Sequence, residues 1–324
     1  MQAIVYDHYG PPDVLRLAEL DRPVPAADQI LIRVHCASVN PYDWHFLRGT
    51  PIFIRIFTGL LRPKSPRLGA DFAGEVEAVG PQSSRFKVGD KVFGTCQGAF
   101  GQFVCASEKN LALIPDGITF ELAASLPIAG VTALQGLRDS ARLQPGQSIL
   151  INGAAGGVGT FAVQIARYMG ADVTGVCSTR NLDLVLSLGA HTAIDYVYND
   201  FTDSGPYYDV IFDLVGNRSL SQLRRALKPK GVLVPCGGGG PDRSSLGLLA
   251  SMIGHSLIAP FISHRVAGIF AKINTADLEQ LASLVEAGHI VPVLDRTFAL
   301  AETAAAVRYI EKCHARGKVI LKVS

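Results

Sequence analysis

One segment constrains this chain more than any other. Residues 149–171, ILINGAAGGVGTFAVQIARYMGA, pass from an apolar run through a glycine-rich turn into a pattern with Phe161, Val163, Ile165 and Ala166 apolar at helical spacing. A strand that feeds a helix through such a turn is the phosphate-binding corner of a βαβ unit. Ala154, Gly156 and Gly159 occupy the three positions of the G-x-G-x-x-G fingerprint, with alanine at the first. At Gly156 backbone N–H groups can approach a pyrophosphate, with Gly157 and Val158 completing the turn, and Gly159 lets helix and strand pack closely. The helix N-terminus then supplies an anion site. Taken alone the turn also fits an ordinary tight strand-to-helix loop; its place after a strand and before a helix is what favours a dinucleotide.

The flanking sequence repeats the alternation. From about residue 122 to 290, apolar runs SILIN, DVTGVC, DVIFDLV and GVLVPC are separated by helix-length stretches ending near Gly170, Gly189 and Pro229. Strand and helix in turn mean a parallel sheet covered by helices, a doubly wound Rossmann arrangement. Before it, QILIRVHCASV (29–39), GEVEAVG (74–80) and FKVGDKVFG (86–94) read as a mostly β domain. The end of the chain, 291–324, returns to strand, helix, strand and is expected to pack on that first domain. The fold class is therefore α/β, with residues 1–121 and 291–324 forming one domain and 122–290 the other. At 324 residues the length suits about two domains.

An acidic residue about 20 positions after the fingerprint would accept the adenosine ribose hydroxyls and repel a 2′-phosphate. Here the sequence reads VCSTRN, placing Ser178, Thr179 and Arg180 at the end of the second strand. Hydroxyls and a guanidinium favour the phosphorylated cofactor, because arginine binds phosphate bidentately. The bland alternative is an exposed arginine opening a solvent-facing helix.

Several further motifs stand in one collinear order: SVNPYDW (38–44), LGADFAGEVEAVG (68–80), VGDKVFG (88–94), LPIAGVTALQGL (126–137), NGAAGGVG (152–159), LGAHTAIDY (188–196), DLVGN (213–217) and GKVILKV (317–323). Together they resemble a zinc-independent medium-chain dehydrogenase/reductase of the quinone oxidoreductase branch, almost end to end. The resemblance implies a GroES-like catalytic domain, a Rossmann domain with the active site in the cleft between the two, NADP(H) as cofactor, and a homodimer. It places Thr132 near the nicotinamide ribose, Tyr196 near the adenosine 2′-phosphate, Gly237 beside the dinucleotide and Asn40 against the nicotinamide. Phe270 and Ala271 resemble a loop whose backbone meets the carboxamide, and Lys318 resembles a cofactor contact in the last strand.

Zinc-dependent alcohol dehydrogenases are the rival reading. That branch has a Cys where Asn40 stands and a His where Ala70 follows Gly69, and a catalytic zinc needs three protein ligands with one position open. No metal is expected. Without a Lewis acid, hydride transfer to a quinone or to the C=C bond of an α,β-unsaturated carbonyl is the feasible chemistry, and the resulting oxyanion needs hydrogen-bond donors and then a proton. Tyr42, His45 and water are the candidate proton donors, because His45 stands where many relatives carry a tyrosine. Asp43 is read as fixing local backbone or orienting its neighbours. Two other functions stay open: a non-catalytic NADPH-binding or sensing protein, and a metal-free carbonyl or alcohol oxidoreductase.

Composition closes off other classes. Thirty basic against 28 acidic residues, without a dense basic run, argue against nucleic acid. Six scattered cysteines with no C-x-x-C pair suit a reducing, cytoplasmic setting. Residues 244–264 lack any Asp, Glu, Lys or Arg, and Pro260, His255 and His264 favour a buried or interface stretch over a membrane span, with membrane-surface association the lesser alternative. In 46–69, Ile52, Phe53, Ile56, Phe57 and Leu60 have helical spacing beside several arginines. This pattern fits a hydrophobic flap with a basic rim, or a helix that packs on the domain and turns a basic face to solvent.

Overall fold

A computed structural model describes residues 1–203, 205, 207–237 and 264–324. The chain divides into two compact units, Met1–Val131 with Lys272–Ser324, and Thr132–Ala271. Residues 122–131 and 272–290, placed with the second domain by their alternation alone, cluster with the first unit. The helix Thr275–Glu286 is tied there by Thr275, which donates to the Glu108 carbonyl at 3.2 Å, and by an Arg85–Glu279 ion pair at 2.9 Å.

The first unit is built round one long strand, Gln29–Val39. It runs antiparallel to Asp71–Val79 along one edge, while its other edge is shared between Phe103–Ser107 at the N-terminal half and Lys318–Lys322 at the C-terminal half. Lys91–Thr95, Leu111–Leu113 and the parallel strand Leu294–Ala299 complete a seven-stranded sheet. Alternation along the strands sends Ile30, Ile32 and Val34 into a core with Phe72, Phe100 and Leu47. The register does more than close the core. It sets Ser38 opposite both Asp71 and Ile320, so residues 40, 71 and 318 meet at one end of the sheet.

The second unit is the expected parallel sheet. Its strands follow the order Thr192–Asp195, Asp172–Cys177, Ser148–Asn152, Tyr208–Asp213, Leu227–Pro235 and Arg265–Val266, every neighbouring pair parallel. In chain order this is 3-2-1-4-5-6, the arrangement of doubly wound dinucleotide-binding sheets. The order reverses between Ser148–Asn152 and Tyr208–Asp213, and ligands of such sheets bind beyond the C-terminal strand ends at that point. Leu150, Val176, Ile211 and Leu233 form an apolar core with Leu223 and Ala226 of the helix Leu220–Ala226.

All of the apolar stretch 244–264 except His264 lies outside the described residues. Among the described residues no helix is long and apolar enough to cross a membrane. All six cysteines are free thiols.

Candidate functional site

The residues singled out in the sequence fall mainly into two groups, one in each unit. In the second unit the fingerprint turn follows Ser148–Asn152, and Gly156 caps the helix Gly157–Tyr168. The first N–H groups of that helix have no intrahelical acceptor, which is what makes a helix start an anion site. The glycines do different work. Gly153, outside the three fingerprint positions, takes the left-handed φ of 90° that turns the chain. A side chain at Gly159 would strike the Gly153 carbonyl oxygen and come within 2.7 Å of the Ala154 carbonyl carbon, so this glycine is required for packing. A Cβ at Gly156 would meet one atom within 4 Å, the Gly153 carbonyl oxygen at 3.3 Å, so the space above the helix N-terminus is otherwise an open cradle. Ala154 is fully buried, with its N–H on the Val176 carbonyl.

Ser178, Thr179 and Arg180 lie just past the end of the neighbouring strand, with Thr179 and Arg180 exposed. Ser178 Oγ accepts from Asn181 Nδ2 at 3.1 Å, leaving its own hydrogen to donate. Tyr196 joins them because its N–H donates to the Cys177 carbonyl at 3.1 Å, and its ring is half exposed. The strand ends at the switch point are clamped by a network the sequence reading did not single out. Asn152 Nδ2 donates to Asp213 Oδ1 at 2.9 Å and to Asn217 Oδ1 at 3.0 Å, and the same Asp213 oxygen accepts from the Gly216 N–H. Gly237 packs against the Leu214 backbone so closely that a side chain there would collide with it. Thr132 is buried in the helix Pro127–Gln135, whereas Phe270 and Ala271 are exposed. Open cradle, helix N-terminus, hydroxyls and guanidinium together fit a phosphorylated dinucleotide.

The first unit holds a buried polar cluster. The helix Pro41–Arg48 starts at Asn40, with proline at its first position and Asp43 reaching back so that its Oδ2 accepts the Asn40 N–H at 2.7 Å. That is the reciprocal half of a capping box. The Asn40 side chain serves elsewhere. One amide hydrogen goes to the Ser38 carbonyl at 3.2 Å and the other to Asp71 Oδ2 at 2.9 Å, while Oδ1 accepts from the Lys318 ammonium. Asp71 also accepts the Ile128 N–H, and Lys318 Nζ stands 3.8 Å from its carboxylate. Asn40, Asp43, Asp71 and Lys318 are each at most 2% exposed.

Burial dominates the ionisation of this cluster. Loss of solvent pushes the Asp43 carboxyl up to about 8 and that of Asp71 up to about 6, the latter restrained by Lys318, while Lys318 itself is lowered by burial. Asp43 has one carboxyl oxygen, Oδ1, buried with no hydrogen-bond partner among the described residues.

The candidate proton donors differ sharply. His45 Nδ1 lies 2.7 Å from the Thr50 carbonyl, which can only accept, so Nδ1 carries the hydrogen and neutral Nε2 is a bare acceptor. Burial lowers the His45 pKa and so disfavours the imidazolium, and the ring stacks on Trp44 with centroids 3.7 Å apart. Tyr42 stacks on Phe46 and is 42% exposed. Burial and the nearby Asp43 and Asp71 raise its pKa to about 12, so its hydroxyl keeps a proton to donate.

These donors do not fit a zinc ion. The position of the zinc branch's cysteine is filled by an amide whose hydrogens are both taken and whose oxygen holds an ammonium, and Ala70 offers no donor in place of the histidine. Among the described residues no three His, Cys, Asp or Glu side chains are grouped as a metal site.

Residues 26–116 match the alcohol dehydrogenase GroES-like domain, and residues 188–321 match the zinc-binding dehydrogenase model. Over 98% of its length the chain is 32% identical to the quinone oxidoreductase of Mus musculus, of which it covers 96%. It is also 32% identical to the chloroplastic NADPH-dependent alkenal/one oxidoreductase of Arabidopsis thaliana, over 99% of this chain and 79% of that protein. Among solved structures, the quinone oxidoreductase from Coxiella burnetii superposes with a TM-score of 0.86 at 32% identity, covering 100% of this chain and 99% of that one.

Proposed function

Because the chain belongs to the medium-chain dehydrogenase/reductase family, in its quinone oxidoreductase-like branch, we propose that it transfers hydride from NADPH to a quinone or to the C=C bond of an α,β-unsaturated carbonyl compound, without zinc. The observation that carries this reading is the Asn40 amide held between Asp71 and Lys318, because it puts hydrogen-bonding and ionic groups where a metal ligand would have to be.

Bound NADPH would supply the hydride. The fingerprint turn and the start of the helix Gly157–Tyr168 hold the pyrophosphate, and Ser178, Thr179, Arg180 and Tyr196 hold the 2′-phosphate. Preference for the phosphorylated cofactor rests on the guanidinium of Arg180 and on the lack of a carboxylate in residues 176–181. Asn40 acts by position. With both amide hydrogens engaged it has none to give a developing oxyanion, so it holds the helix Pro41–Arg48 and the Lys318 ammonium in place. Tyr42 delivers the proton that completes reduction, its hydroxyl being protonated across the neutral range. His45 serves packing, through Trp44 and Thr50. A homodimer is part of the proposal and is read by light scattering.

The test is NADPH consumption, with NADH in parallel, against quinones, enones and simple ketones. Turnover of quinones or enones with NADPH preferred is the expected result. Tight NADPH binding with no turnover of any class would overturn the reductase and leave a binding or sensing protein. Turnover confined to simple ketones would indicate a carbonyl reductase.

A further inference from the structure

The segment between Asp43 and Asp71 contains Arg48, Arg55, Arg62, Lys64 and Arg67 and no acidic residue. Its apolar side chains at 52–61 are not packed on the first unit as a buried helix face. Past the helix Pro41–Arg48 only Ile54–Thr58 is helical, and Ile52, Phe53, Ile56, Phe57, Leu60 and Leu61 are exposed, the last two at 69% and 89%. Six large apolar side chains exposed within ten positions are a local concentration of the kind that marks an interaction surface.

The segment is held open from its inner side. The Tyr9 hydroxyl donates to the Gly59 carbonyl at 2.7 Å and lies 2.8 Å from Thr58 Oγ1. Arg55, which on sequence could belong to a basic rim, instead lies over the Tyr9 ring at 4.5 Å and donates to the Gly49 and Arg48 carbonyls. Arg67 likewise turns inward, donating to the Gly98 and Phe103 carbonyls, and Arg48 pairs with Glu311. Two cations are left facing outward beside the apolar side chains, Arg62 and Lys64, both exposed and neither with an ion pair among the described residues.

We propose that this patch docks the protein on an anionic lipid bilayer, Ile56, Phe57, Leu60 and Leu61 entering the headgroup–acyl boundary while Arg62 and Lys64 meet lipid phosphates. Charge complementarity decides the occupant. Interfacial segments combine Phe and Leu on one side with Lys or Arg at the rim, and gain affinity from anionic lipid. A second copy placed on the same patch would instead bring Arg62 and Lys64 against their equivalents with no acid in the segment to balance them. The proposal is independent of the reaction catalysed.

The experiment is co-sedimentation of the full chain with vesicles of phosphatidylcholine alone and of phosphatidylcholine with phosphatidylglycerol in equal amounts. Binding at least about tenfold tighter to the anionic vesicles, and weakened by salt, is expected for two rim cations. The variant Phe57→Ser/Leu61→Ser should lose binding, and Arg62→Gln/Lys64→Gln should lose about tenfold, with thermal melting unchanged because all four side chains are exposed. Failure to sediment with anionic vesicles, or equal binding by Phe57→Ser/Leu61→Ser, overturns the proposal. So does self-association in vesicle-free solution that the same variant abolishes while no vesicle binding is found.

Discussion

Lys318 and Asp71 lie in the interior of the first unit with ammonium and carboxylate 3.8 Å apart, and the Asn40 side chain bridges them by accepting from one and donating to the other. A buried ion pair of this kind gives little net stability, yet breaking it is costly because the surviving charge is stranded.

Lys318→Met should therefore destabilise the protein by about 3–5 kcal/mol. The double variant Lys318→Met/Asp71→Asn, which removes both charges, should recover part of that loss. Urea unfolding of both variants checks this; a double variant no more stable than the single one would show that charge is not the cause.

Asp43 makes stability depend on pH. Its carboxyl is at about 8 in the folded protein against 3.8 for the ordinary group. The folded state thus holds a proton that the unfolded chain releases, and the stability tied to it is full below pH 3.8 and falls as pH rises to about 8. Asp43→Asn cannot ionise, so its stability relative to the parent should rise by about 2 kcal/mol or more from pH 5 to pH 8. A constant difference between the two proteins across that range would refute the assignment.

The two glycines of the turn should separate folding from binding. Gly159→Ala collides with the backbone of Gly153 and Ala154 and is expected to cost about 2–4 kcal/mol, of the order found for overpacked sites. Gly156→Ala meets one backbone atom, the Gly153 carbonyl oxygen at 3.3 Å, so it should lower the melting temperature far less than Gly159→Ala and lose NADPH affinity by tenfold or more through crowding of the cradle. Melting curves and cofactor titration distinguish them.

Arg180→Ala should raise KM for NADPH about tenfold or more while leaving that for NADH nearly unchanged, the loss of one charge-assisted phosphate contact. Equal effects on both cofactors would place Arg180 away from the 2′-phosphate.

Tyr42→Phe is expected to lower kcat by about tenfold to a hundredfold, at or below the range for a positioned acid, because water can take over. His45→Gln should leave kcat within about twofold and act on stability through its contacts with Trp44 and Thr50. The reverse pattern, a large kcat loss in His45→Gln only, would make the histidine the donor.

Much of the architecture was legible because parallel strands buried on both faces read as unbroken apolar runs. SILIN and DVTGVC coincide with Ser148–Asn152 and Asp172–Cys177, and in the antiparallel sheet QILIRVHCASV, rich in β-branched residues, is the strand Gln29–Val39 to the residue. FKVGDKVFG yields only the strand Lys91–Thr95, since Lys87–Asp90 is a turn in which Lys87 N–H bonds to the Asp90 carboxylate. The helical spacing at 52–60 was misleading in another way: periodicity reports which side chains share a face and not whether anything covers it.

The candidate site divides along the same line. Local sequence determined the glycine-rich turn, the Ser178–Arg180 triplet and the Asn40–Asp43 helix start, because each is made by residues within a few positions of one another. Only tertiary structure decided that Asn40, Asp71 and Lys318 form one buried cluster, that Tyr42 rather than His45 has a hydrogen to give, and that the apolar side chains near 56–61 face solvent. Those outcomes depend on strand register and on which carbonyl or carboxylate lies within hydrogen-bond reach, and no spacing along the chain contains that information.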